Sequence, residues 1–172
     1  THFDFVACDG PHSARLLSQQ GDCSIVRLKM RDAEPPVRYP DGWLMETGST
    51  HVIQWVKDLK DFPVDTEGKR LRWDKRFPRG ANVNFVEPFA DHLDIRTYER
   101  GVEAETWACG TGATASALAS WLHGEKCFTA NDENGAERIK FVLRALGGEL
   151  AVDFLAEKDG KTVGRVAAII NR

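Results

Sequence analysis

Along the first thirty residues apolar and polar positions alternate, with Val26, Leu28 and Met30 set against Ile25, Arg27 and Lys29. A period of two predicts strands, because successive side chains of an extended chain point to opposite faces. The alternation is interrupted at Cys8-Asp9-Gly10-Pro11 and at Gln20-Gly21-Asp22, which divides the segment into two or three short strands. Arg31 to Asp41 then carries Pro35, Pro36 and Pro40. Proline removes a ladder donor and biases its predecessor away from helix, so this stretch predicts a linker and a boundary near residue 38, between segments 1–38 and 39–172.

Beyond the boundary His51–Val56 has the apolar density of a buried strand, and Asp65–Phe77 predicts a short helix that opens on Asp and Thr. Asn82–Glu87 and Leu93–Tyr98 alternate as half-buried strands do, and the short Pro88–Asp91 connection predicts that they pair as a hairpin. Arg138–Arg144 and Glu149–Phe154 return to period two around Gly147-Gly148, a second hairpin. Thr111–Leu122 is different in kind: Ala, Ser, Thr and Leu fill it, only Trp121 is bulky, and Gly124 follows its end. Small residues on every face predict a helix enclosed by other structure, and the glycine suits the left-handed residue past a helix terminus.

Composition narrows the function classes. The 172 residues carry 23 basic and 26 acidic side chains, a net charge of -3 with the signs interspersed, so no basic stripe is offered to nucleic acid or to an anionic membrane. No apolar run approaches a membrane span, and the first residues lack the zones of a signal peptide, which predicts a cytoplasmic protein. Cys8, Cys23, Cys109 and Cys127 are scattered without a CxxC pair or a Cys/His cluster, which argues against a structural metal and predicts reduced thiols.

The chemistry concentrates in Tyr98–Ala115, YERGVEAETWACGTGATA. Cys109 precedes Gly110-Thr111-Gly112 at the start of the Ala-rich helix, where unpaired N–H groups and the positive end of the helix dipole favour a thiolate. The glycines let backbone amides approach a carboxylate. Arg100 can clamp a carboxylate and Glu99 can accept from an ammonium, together a recognition set for a zwitterion. The plainer alternatives are a cysteine buried as a small hydrophobe and an ion pair at a strand end.

The string ERGVEAETWACGTGATA resembles the signature around the second catalytic cysteine of the diaminopimelate epimerases. Thr47-Gly48-Ser49-Thr50-His51 and FPRGANVNF (Phe77–Phe85) match that family in order and spacing as well. The resemblance implies an α+β fold, a curved, barrel-like mixed β-sheet wrapped around a central α-helix. It further implies a cofactor-independent, metal-free epimerase that interconverts LL- and meso-diaminopimelate with two facing cysteines. Cys109 would be one acid/base thiol, His51 the histidine beside it, Gly110 and Thr111 the amides at the α-carboxylate, and Asn82, Glu99, Arg100 and Ser49 the substrate contacts. Ser49 stands where the family has asparagine. No Asn-Gly-x-Arg-Cys motif for the first cysteine occurs, and residues 1–38 resemble the closing strands of the family's amino-terminal domain. A fragment inactive by itself, with the amino-terminal half of the enzyme as its missing partner and exposed strand edges that favour a homodimer, is therefore expected. KTVGRVAAIINR, the last twelve residues, does not match the family's closing segment. Two competing readings are a thiol hydrolase using Cys109 and His51 and a non-catalytic amino-acid-binding fragment.

Overall fold

The computed structural model describes residues 1–7, 10–131, 137–156 and 163–171, the last of these stretches by its backbone. The strands are β1 (His2–Ala7), β2 (Gly10–Gln20), β3 (Cys23–Lys29), β4 (Val37–Tyr39), β5 (Gly42–Glu46), β6 (Thr50–Trp55), β7 (Asn82–Pro88), β8 (Leu93–Glu99), β9 (Ala104–Thr106), β10 (Phe128–Asn131), β11 (Glu137–Ala145), β12 (Gly148–Ala156) and β13 (Val163–Asn171). The helices are α1 (Val64–Arg72) and α2 (Gly110–His123). All these strands join one mixed sheet in the order β1-β2-β3-β13-β12-β11-β8-β7-β6-β5-β4, with β9 on β8 and β10 on β11. Its two parallel pairings are β6–β7 and β11–β8, and the sheet does not close.

The sheet curves around α2. Gly112 to Ser120 are all buried, nine consecutive residues with no solvent face. Ala and Leu can satisfy that environment without polar partners, and small side chains let strands approach from several directions. Ala113, Ala115, Ala117, Leu118 and Ala119 meet Met45, Ile53, Val86, Ile95, Ile139, Phe141, Val152 and Phe154 from six surrounding strands. At its far end Gly124 adopts φ 97° and donates to the carbonyls of Ser120 and Trp121, the left-handed stop expected from the sequence. The second helix covers the opposite face: Val64 and Leu71 of α1 pack on Val83, Phe85 and Tyr98. A Cβ at Gly68 would overlap the Tyr98 side chain, so the glycine sets how closely α1 approaches β8.

Both expected hairpins form, with Asn84 opposite Thr97 in one and Phe141 opposite Val152 in the other. Several expectations are corrected. Residues 31–41 are not wholly linker, since Val37–Tyr39 pairs with β5 as the outermost strand. Pro36 and Pro40 flank it, which an edge strand tolerates because one row of its backbone groups needs no partner. α1 starts one residue before Asp65 and stops at Arg72 rather than Phe77. The Asp65 carboxylate accepts from the amide of Glu105 instead of capping its own helix, and Asp74 accepts from the amide of Arg76, which turns the chain out of the helix. The strands β9, β10 and β13 carried too little alternation to be expected. β13, which contains most of the unmatched tail, fills the gap between β12 and β3 and so joins residues 1–29 to the remainder of the sheet. Asp153 on β12, 3% exposed, is neutralised by Arg27 of β3 at 2.5 Å and by Arg138 of β11, a clasp that spans β13. No helix among the described residues is long and apolar enough to cross a membrane.

Charged side chains fasten the loops. Arg96 holds Glu105 through two bonds of 2.6 Å and donates to the carbonyls of Leu59, Lys60 and Phe62, fixing both β9 and the turn before α1. Lysine offers a point charge without that fork. Arg96→Lys should therefore lower stability by about 2 kcal/mol, read as a shift of the urea midpoint at constant m-value, because charge-assisted bonds to a half-buried guanidinium are lost.

Candidate functional site

The site lies where the sheet's inner face changes from apolar to polar. On β7 Asn82, Asn84 and Val86 point toward α2 while Val83 and Phe85 point to α1. The parallel register sets His51 opposite Asn82 and Ile53 opposite Asn84; the antiparallel register sets Thr97 opposite Asn84. Ile53, Val86 and Ile95 thus pack along the helix body, and His51, Asn84 and Thr97, each 3% exposed or less, surround its first turn. This half-buried helix start presents amides that no carbonyl of the helix can satisfy, so polar side chains concentrate there.

Cys109 is the residue that begins α2. Its backbone is extended (φ -128°, ψ 113°), its carbonyl accepts the amide of Ala113, and no side chain caps the turn. The sulfur lies 3.5 Å from the Thr111 hydroxyl. That hydroxyl is 3.0 Å from His51 Nε2 and 3.3 Å from Ser49 Oγ, and Ser49 Oγ is 2.8 Å from the same imidazole nitrogen. Thr47 Oγ1 donates to the Thr111 carbonyl at 2.9 Å, joining the loop before β6 to the helix. Asn84 Nδ2 reaches both His51 Nδ1 and the Val52 carbonyl at 3.1 Å, and Thr97 donates to Asn84 Oδ1 at 3.0 Å. Gly112 is required for this closeness: a Cβ there would overlap Asn84 Oδ1 and press on Cys109 Cβ and His51 Cε1 at 3.3 Å each.

Of the residues singled out from sequence, Cys109, Gly110, Thr111, His51, Ser49 and Asn82 form one connected group. Asn82 is bonded at both ends, with Oδ1 accepting the Arg100 amide at 2.9 Å and Nδ2 donating to the Thr50 carbonyl and to Ser49. The Arg100 guanidinium donates only to the carbonyls of Arg79 and Gly80, at 3.4 and 3.3 Å, and has no carboxylate partner among the described residues. Glu99 is half-buried and its charge is felt at Cys109. Cys23 lies on β3, Cys127 lies in the connection before β10, and Cys8 is outside the described residues. Asn84 was missed, while Thr47 and Gly112 were named only within their motifs, without the Thr111 carbonyl bond of the one or the close packing of the other on Asn84 and His51. The two-residue step from Asn82 to Asn84 places both amides on one strand face and was the available signal, but alternation with Val and Phe assigned that face to solvent.

Electrostatics correct one expectation. Burial pushes the Cys109 thiol up, the Glu99 charge adds to it, and the Thr111 hydroxyl with the amides of Gly112 and Thr111 pulls down less strongly. The resting sulfur is a thiol, because removal of sulfur from water outweighs the helix-end donors. His51 is lowered to about 3, first by burial and then by the Arg100 charge, so its imidazole is neutral. It makes no direct bond to Cys109, and a neutral ring of such low basicity is a poor partner for a hydrolytic nucleophile. Among the described residues no group of His, Cys, Asp and Glu could hold a metal ion.

A family model described as diaminopimelate epimerase matches residues 43–163. The chain is 36% identical over 155 residues to diaminopimelate epimerase of Flavobacterium psychrophilum, covering 89% of this chain and 55% of that protein. It is 42% identical over 134 residues to diaminopimelate epimerase of Chlorobaculum tepidum, covering 72% and 49%. The chain thus spans about half the length of the curated relatives it matches. Its fold is that of a hydroxyproline epimerase from Agrobacterium vitis, TM-score 0.70 at 17% identity, over 100% of this chain and 56% of that one.

Two outcomes follow from the packing and charge of the site. Above pH 6.5 His51 is neutral whether the chain is folded or not; below it the unfolded chain takes a proton that the folded one refuses until about pH 3. Stability should fall by up to about 1.4 kcal/mol per pH unit in that window from this group, and urea titrations of His51→Gln should lack this component; parallel pH profiles for the two proteins would exclude it. Gly112→Ala should cost about 2 kcal/mol by overpacking and displace the imidazole, visible as altered His51 NMR shifts.

Proposed function

Since the chain belongs to the diaminopimelate epimerase family, we propose that it supplies one half of a cofactor-independent epimerase site that interconverts LL- and meso-diaminopimelate, with Cys109 as one of two acid/base thiols. The observation that carries this is convergence: a thiol and backbone amides at one half-buried helix start, with an arginine that has no carboxylate partner among the described residues and a glutamate whose charge reaches the sulfur. A zwitterionic amino acid complements that set. Its α-carboxylate would lie on the amides of Gly110 and Thr111, and Arg100 and Glu99 would take the remaining carboxylate and ammonium. Asn82 would act by holding the Arg100 backbone and Ser49 in place.

The reaction needs a base on one face of the α-carbon and an acid on the other. The base breaks the C–H bond and takes the proton, the electron pair spreads into the α-carboxylate as an enediolate, and the opposing S–H delivers its proton to the far face. Amides aimed at the developing oxyanion are worth about 3–4 kcal/mol each in comparable sites. Held as a thiol by burial, Cys109 would serve as the acid for the substrate whose α-hydrogen faces the other sulfur, and as the base in reverse. We assign that second sulfur to polypeptide other than these residues, segment 1–38 to the closing strands of the partner domain, and 39–172 to the domain that carries Cys109. The outer edge of β1, which pairs with no further strand among the described residues and carries Phe3 and Phe5 about half exposed, is a ready seam for self-association.

Calorimetric titration should detect binding of diaminopimelate isomers, weakened at least about tenfold in Arg100→Ala, a loss of roughly 1.4 kcal/mol. The 172-residue chain alone should incorporate no deuterium at the α-carbon in D2O. Stereochemical turnover by the lone chain would refute the two-thiol division, absence of binding would refute the substrate, and an acylated Cys109 from activated esters would favour a hydrolase.

A further inference from the structure

We propose that Asn84 is a positioning residue that gives the hydrogen bonds leading to Cys109 a single direction, so that Thr111 presents its hydroxyl hydrogen to the sulfur. The inference deepens the assignment of Cys109 as an acid/base thiol and rests on it for its functional meaning. Its starting point is the Val52 carbonyl, which can only accept. The Asn84 nitrogen must face it at 3.1 Å, and the oxygen of that amide then receives the Thr97 hydroxyl at 3.0 Å. The second N–H of Asn84 meets His51 Nδ1 at 3.1 Å, which must therefore carry the lone pair. The imidazole hydrogen sits on Nε2 and donates toward Ser49 Oγ or Thr111 Oγ1, at 2.8 and 3.0 Å.

A second asparagine enters from the other side with the same polarity. The Arg100 amide can only donate, so Asn82 Oδ1 faces it and Asn82 Nδ2 donates to Ser49 Oγ at 3.3 Å. The Ser49 oxygen is thereby supplied with donors, and its own hydrogen is left for Thr111 Oγ1 at 3.3 Å. Thr111 thus accepts from Ser49, with the one Nε2 hydrogen of His51 shared between the two hydroxyls, and its own hydrogen is left for Cys109 Sγ at 3.5 Å. Burial and the nearby Arg100 keep the imidazole neutral, so acidification within the working range does not reverse the order. Arg100 and Glu99 are the charged groups that bear on this cluster, and neither breaks the sequence of donors. When the thiol gives up its proton, an O–H already points at the anion and nothing has to rotate.

The test needs no substrate, so it can fail or succeed independently of the epimerase assignment. In 15N NMR of histidine-labelled protein, with His51 identified by its loss in His51→Gln, Nε2 should be protonated and Nδ1 bare at neutral pH. Asn84→Ala should move the proton in part to Nδ1. In the same variant the pH midpoint for alkylation of Cys109 by iodoacetamide, followed by mass spectrometry of its peptide, should rise by at least about half a pH unit. The shift should vanish when Asn84→Ala is made in a Thr111→Val background. A wild-type Nδ1–H tautomer overturns the proposal, and that measurement suffices if Asn84→Ala fails to fold. An unchanged midpoint in Asn84→Ala, or one that shifts equally without the Thr111 hydroxyl, overturns it too.

Discussion

The sheet is arranged around a helix whose body has no exposed face. Because Gly112 to Ser120 are buried on all sides, α2 cannot follow the usual amphipathic compromise of one apolar stripe and one wet one. Its body must be lined with carbon and its first turn with polar groups. The strands around it obey both demands along their own length, so β6, β7 and β8 each change from isoleucine, valine or leucine to histidine, asparagine or threonine as they pass the start of the helix. The same axial gradient that allows the helix to be buried assembles the polar cluster around Cys109. Folding and site formation are one event here, and a change such as a methyl group at Gly112 touches both.

That coupling explains what could be read from the chain and what could not. The Ala-rich helix, its glycine stop, the two hairpins and the place of Cys109 at the helix start were legible, since each depends on local pattern or on a short motif. Asn84 was not, because a polar residue alternating with Val83 and Phe85 implies a solvent face unless one knows that the helix lies on that side. Val37–Tyr39 was hidden by its flanking prolines, and β13 by a tail in which glycine and alanine dilute the alternation. The end of α1 was set by Asp74 turning back on the amide of Arg76, a side-chain event that periodicity does not report. Long-range placement, rather than propensity, decided each of these.

The sulfur itself illustrates a contest between two effects of similar origin. Free amides at a helix start favour an anion, and dryness disfavours it; both arise because the first turn is enclosed. In the resting protein dryness wins, and Cys109 keeps its proton. The Glu99 charge adds to burial in holding that proton, so a positive group that offset it would favour release. The environment that represses ionisation at rest also strengthens whatever donor finally meets the anion.

Gly147, in the turn between β11 and β12, lies far along the chain from Cys109 yet holds the loop that ends in it. Gly147 donates to the Trp107 carbonyl at 2.7 Å, and a side chain at 147 would crowd that same peptide at 3.1–3.3 Å. Only one residue separates Trp107 from the cysteine, so the approach to the helix is moored on a short rope. Displacement of the Trp107 backbone would break this bond or carry the hairpin turn with it, so the chain's entry into the helix and the distant hairpin share one anchor.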